Sequence, residues 1–89
     1  MVTTELKVTN KSGLHARPAT DFAETAKGFQ SSVQLTFNGK TKNAKSVIGI
    51  LALGIKQNST VTVSVDGEDE QEALNAILAL AADNFHEQG

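Results

Sequence analysis

The stretch Gly13-Leu14-His15-Ala16-Arg17-Pro18-Ala19 brings a histidine and an arginine within two residues of each other, where a loop gives way to a helix. Histidine presents a neutral ring nitrogen as a nucleophile near neutral pH. An anion bonded to that ring just before the first helical turn would meet backbone N–H groups that have no intrahelical acceptor. The Arg17 guanidinium can reach the same anion. Taken alone, His15 fits an ordinary loop or capping histidine just as simply, and His-x-Arg is a weak motif.

The remaining candidates are few. His86 lies near a polar terminus and reads as solvated surface. Ser46 in isolation is an N-cap worth about 1 kcal/mol. No metal site or cofactor is expected, since no carboxylate follows His15 until Asp21. Absence of cysteine excludes a disulfide framework and thiolate metal sites, and fits a cytoplasmic protein. The opening Met1-Val2-Thr3-Thr4-Glu5 is too polar for a signal peptide, and the apolar run Val47 to Ile55 is too short for a membrane span. A net charge of −2 and a pI near 5.5 offer no basic field for nucleic acid.

The elements that must position His15 follow from hydrophobic spacing. Leu6 and Val8 alternate with Glu5, Lys7 and Thr9 as in a half-buried strand, and Asn10 to Gly13 form a loop. Ala19, Phe22, Ala23 and Ala26 mark one helical stripe, ended by Gly28 as its C′ residue. Because the residue before a proline avoids the helical region, local rules start this helix at Pro18. Val33, Leu35 and Phe37 form a second strand, and Asn38-Gly39 a type I′ turn. The return strand, Lys40 to Asn43, pairs Phe37 with Lys40 and Leu35 with Lys42, which suits a short sheet edge. Ser46 then caps a short, mostly buried helix from Val47, with Gly54 as its C′ residue. Val61, Val63 and Val65 give a fourth strand, closed by Asp66-Gly67. Asp69 and Glu72 form a capping box for a last helix with the stripe Leu74, Ile77, Leu78, Ala81 and Phe85. The order βαββαβα implies an α+β, two-layer open-faced sandwich over residues 1–89, with a four-stranded antiparallel sheet and three helices on one face.

The histidine stretch, with Asn43-Ala44-Lys45-Ser46-Val47-Ile48-Gly49 and Gly67-Glu68-Asp69-Glu70-Gln71-Glu72-Ala73-Leu74, resembles HPr. That family comprises the histidine-containing phosphocarriers of the bacterial phosphoenolpyruvate-dependent phosphotransferase system. The resemblance covers nearly the whole chain and implies the same element order, with His15 itself as the N-cap. It implies that His15 is phosphorylated on Nδ1 by enzyme I and dephosphorylated by enzyme IIA domains in sugar uptake. Ala16 and Arg17 would bind the phosphoryl group, so the protein would be a carrier with a phosphohistidine intermediate rather than an independent catalyst. Ser46 would be the target of an HPr kinase/phosphorylase, linked to a catabolite-control regulator. Thr20, Ile48, Leu51 and Ala52 would form the docking patch of a monomer. The last helix also resembles the nitrogen-type branch, and a purely regulatory HPr-like binding protein is the other alternative. Asp21 and Glu24 depart from the family pattern, because family members often carry apolar or basic residues there and dock on an acidic enzyme I surface.

Overall fold

The computed structural model describes residues 1–83 and Phe85. The solvated placement expected for His86 lies outside them. In chain order the elements are β1 (Val2–Lys7), α1 (Ala16–Lys27), β2 (Ser32–Phe37), β3 (Lys40–Asn43), α2 (Val47–Ala52), β4 (Thr60–Asp66) and α3 (Glu70–Ala82). The strands form one antiparallel sheet in the order β1-β4-β2-β3.

Period-two alternation explains the two faces of this sheet. Leu6 lies opposite Val61, Leu35 opposite Val63, and Val33 opposite Val65, so the apolar side chains share one face and are buried. The three helices cover that face, while Glu5, Ser32, Gln34, Thr60, Thr62 and Ser64 occupy the other. Asn38 (φ 56°) and Gly39 (φ 81°) both take positive φ, and the hairpin pairs Phe37 with Lys40 and Leu35 with Lys42 as the turn dictates. β3 is an edge strand, with both lysines exposed.

Four local expectations are corrected. α1 begins at Ala16, not Pro18. Proline is the third helical residue, a position whose N–H would have no acceptor, and the first intrahelical bond runs from Ala19 N to His15 O at 3.0 Å. Gly28 does end α1, but as its C-cap rather than its C′ residue, in the right-handed region (φ −70°). α2 buries only Ile50, whereas Ile48 is 80% exposed. A helix of six residues lying on the edge of the layer turns little more than one position inward. Gly54 (φ 64°) does supply the left-handed residue after it.

The fourth correction concerns α3. Asp69 is its N-cap but makes no side-chain capping bond. Its carboxylate instead accepts the backbone N–H groups of Gln30 and Ser31, each at 2.9 Å, and the Ser31 hydroxyl. The Ser31 hydroxyl, followed by the Gln30 N–H, holds this carboxyl below the usual aspartate range. Close approach makes the tie possible, since a Cβ on Gly67 would lie 2.7 Å from Ser31 Cα. Ala73, Leu74, Ile77 and Leu80 form the buried face of α3, leaving Leu78 37% exposed. Phe85 lies beyond the helix at φ 53° and packs into the core, its ring 6.3 Å from that of Phe22. Among the described residues no helix is long and apolar enough to cross a membrane.

Candidate functional site

His15 is held by a loop that is fastened at both ends. The buried Asn10 donates its Nδ2 to Gly13 O at 2.7 Å, and Gly13 N donates to Asn10 O at 3.1 Å. Leu14 is buried, and its N–H reaches Ile55 O at 3.1 Å, joining the loop to the segment between α2 and β4. Gly13 has φ +65°, and a Cβ there would stand 2.7 Å from Lys56 Cα. Only glycine allows the two segments to touch in this way.

The next residue is the N-cap of α1, with extended backbone (φ −102°, ψ 177°) and an exposed side chain that makes no capping bond. A serine or aspartate here would turn its oxygen onto the first-turn amides. The imidazole leaves them open. Ala16 and Arg17 are the first two helical residues, so their N–H groups have no intrahelical acceptor, and Pro18 has no N–H to offer. Arg17 is exposed and forms no ion pair with any described residue. The helix end therefore presents two amides and one guanidinium beside a free imidazole, a set suited to an anion on the ring.

A cleft of about 270 Å³ opens beside His15, lined by Ser12, Leu14 and His15 on one side and by Leu51, Gly54, Ile55 and Lys56 on the other. Leu51 is thus brought to the histidine. Ile48 and Ala52 are exposed on the same short helix, while Thr20 is half-buried and donates its hydroxyl to Ala16 O at 3.1 Å. Ser46 stands apart from the cleft at the N-terminus of α2, where its Oγ accepts Gly49 N at 3.1 Å. The side chain of its neighbour Lys45 is occupied, with Nζ donating to Phe29 O at 2.9 Å. Glu24 is exposed, whereas Asp21 is half-buried, with Oδ2 shielded from water and without a donor among the described residues.

Sequence reasoning missed the second wall of the cleft. Ile55 and Lys56 carry no motif of their own. Two glycines gave the available signal, since Gly13 and Gly54 both take positive φ where the loop and the segment after α2 meet.

Comparison with known proteins places these features in a family. Residues 2–83 match the PTS-HPr family model, described as the PTS HPr component phosphorylation site. Among solved structures, HPr from Thermoanaerobacter tengcongensis is 40% identical, with all of both chains covered and a TM-score of 0.96. The phosphocarrier protein HPr of Bacillus anthracis is also 40% identical, over 90% of this chain and 95% of that one, with a TM-score of 0.86. Crh, the catabolite repression protein of Bacillus subtilis, is 42% identical over 94% and 97% of the two chains, with a TM-score of 0.74, and was crystallised as a dimer with a swapped domain.

Proposed function

The chain belongs to the HPr family of the phosphotransferase system, and from that premise we propose that it carries a phosphoryl group on Nδ1 of His15. Enzyme I is the donor, with phosphoenolpyruvate as the source, and enzyme IIA domains are the acceptors. One observation carries the reading: His15 caps α1 without using its ring, which leaves the imidazole free beside the Ala16 and Arg17 amides. The attacking nitrogen takes the phosphoryl group from the donor, and the N–H groups and Arg17 meet its equatorial oxygens. These contacts are solvated, as a reversible carrier requires.

Docking falls to Thr20, Ile48, Leu51 and Ala52, of which Leu51 lines the cleft beside His15. Ser46 is the regulatory position, addressed by an HPr kinase/phosphorylase and read by a catabolite-control partner. Similarity to Crh favours a second, regulatory use of this surface. A purely regulatory protein would have no need of a phosphorylatable residue at position 15, so carriage is the primary role. The whole chain, residues 1–89, acts as one cytoplasmic domain, and its working form is a monomer. Light scattering distinguishes that form from a swapped dimer of the Crh kind.

The direct test is incubation with enzyme I, phosphoenolpyruvate and Mg²⁺, followed by intact mass. One acid-labile phosphoryl group is expected on the wild type and none on His15→Ala. Labelling that persists in the variant would remove His15 from the mechanism. Acceptance of the group by a sugar-type rather than a nitrogen-type enzyme IIA then assigns the branch.

A further inference from the structure

Arg17 approaches an anion on His15 from the helix side, yet the other wall of the cleft also carries a cation. Lys56 lines the cleft together with His15 and Ser12. Its backbone is fixed three times over. Lys56 N donates to Ser59 Oγ at 3.2 Å, Ser59 N donates to Lys56 O at 3.1 Å, and Lys56 Cα lies against Gly13, two residues before the histidine. The side chain is exposed and forms no ion pair or hydrogen bond with any described residue. Lysine has a flexible four-carbon stem and three rotatable donors, so a fixed backbone with a free ammonium suits it to follow an anion that arrives and leaves. Nor does a carboxylate of the described residues line the cleft to neutralise it.

We propose that Lys56 is a second phosphoryl-binding cation, which meets the group on His15 from the wall of the cleft formed by the segment after α2. This rests on the reading of His15 as the phosphoryl carrier. Arg17 engages the phosphoryl oxygens by directional hydrogen bonds, whereas Lys56 acts as a mobile point charge. Such a charge strengthens anion binding without locking its geometry. Its effect is that of a partly solvated ion pair, about three- to fivefold in affinity, and it is screened by salt.

The probe is inorganic phosphate, titrated into the unmodified protein and followed by the amide resonances of Ala16, Arg17 and Lys56. Wild type is expected to bind in the millimolar range, Lys56→Gln three- to fivefold more weakly, and Lys56→Arg within twofold of wild type. Unchanged resonances outside the cleft establish that each variant is folded. A second arm uses phosphoramidate, whose P–N bond breaks as the phosphoryl group passes to His15 and ammonia departs. In the phosphoprotein, ³¹P resonance should titrate at higher pH in Lys56→Gln than in wild type, because a cation favours the dianion. No phosphate-dependent shift in wild type, or titrations of wild type and Lys56→Gln that superimpose, overturns the proposal. If enzyme I leaves His15 unmodified while phosphate binding still depends on Lys56, the carrier reading falls and the anion site stands. If His15 is phosphorylated and Lys56→Gln matches wild type in both arms, Lys56 alone is removed.

Discussion

Gly13→Ala should damage this protein far more than one methyl group ordinarily does, and the structure separates the causes. A left-handed backbone costs an L-residue about 1–2 kcal/mol. At Gly13 the added Cβ would also fall 2.7 Å from Lys56 Cα and against the Ile55 carbonyl, both backbone atoms that cannot rotate away. The two segments must part, and the bond from Leu14 N to Ile55 O, worth about 0.5–1.5 kcal/mol, is lost or lengthened. Summed, the loss is about 1.5–3.5 kcal/mol. Gly39 is the control, because it has φ +81° with nothing within 4 Å of its Cβ position, so Gly39→Ala carries the backbone term alone, about 1–2 kcal/mol. Urea unfolding of both variants measures the difference, and phosphorylation by enzyme I then reports whether the displaced loop misplaces His15. Equal destabilisation by the two alanines would refute the argument that close approach of two backbones builds the His15 loop.

Arg17→Ala should leave the urea midpoint unchanged while weakening transfer by about 1.5–3 kcal/mol at most, the size of a solvated charge-assisted bond; unchanged kinetics with donor and acceptor would exclude it. Ser46→Ala should lose about 1 kcal/mol through the missing bond to Gly49 N. Ser46→Asp should remain folded yet accept phosphoryl groups more slowly, since a negative charge suits a helix N-terminus and repels an acidic partner. Unfolding of Ser46→Asp, or transfer at the wild-type rate, contradicts this. Asp69 is ionised more readily when folded than when unfolded, so its contribution is complete above the ordinary aspartate value of 3.8 and disappears as pH falls through the lower folded value. Acid unfolding of Asp69→Asn should accordingly lack that part of the pH dependence, and curves of identical shape would count against the tie to Ser31. Glu24→Lys should speed phosphorylation by a heterologous, acidic enzyme I at low salt, with Asp21→Ala adding less because Asp21 is half-buried; equal rates at all salt concentrations would dismiss the charge mismatch.

Features legible in the sequence were those fixed by short-range geometry. Alternation in Val61, Val63 and Val65 gives a strand face, and Asn38-Gly39 fixes both the turn and the register that sets Lys40 opposite Phe37. The resemblance carried by residues 13–19 located the N-cap at His15, where local rules started the helix at Pro18. Tertiary choices left no such mark. Asp69 looks like a cap from its own neighbourhood, yet a loop 38 residues away in sequence offers its carboxylate three donors. Leu78 and Ile48 fit apolar spacing but lie exposed, because spacing defines a stripe and not the depth at which its edges sit. Lys56 joins His15 only through the contact of two loops.

The strand order has a bearing on how the chain acquires its shape. Val2 pairs with Val65 and Leu6 with Val61, while β2 finds the same central strand from its other side. A ribosome delivers β1, α1 and β2 before the partner that joins them, so until β4 emerges only the β2–β3 hairpin can pair locally. Such long-range closure slows folding and leaves apolar strand faces open in the meantime. A nascent chain stopped before Thr60 would hold both segments that line the cleft but no central strand to bring them together. Competence to accept an anion should therefore appear late and abruptly in synthesis, once residues 54–66 have left the tunnel.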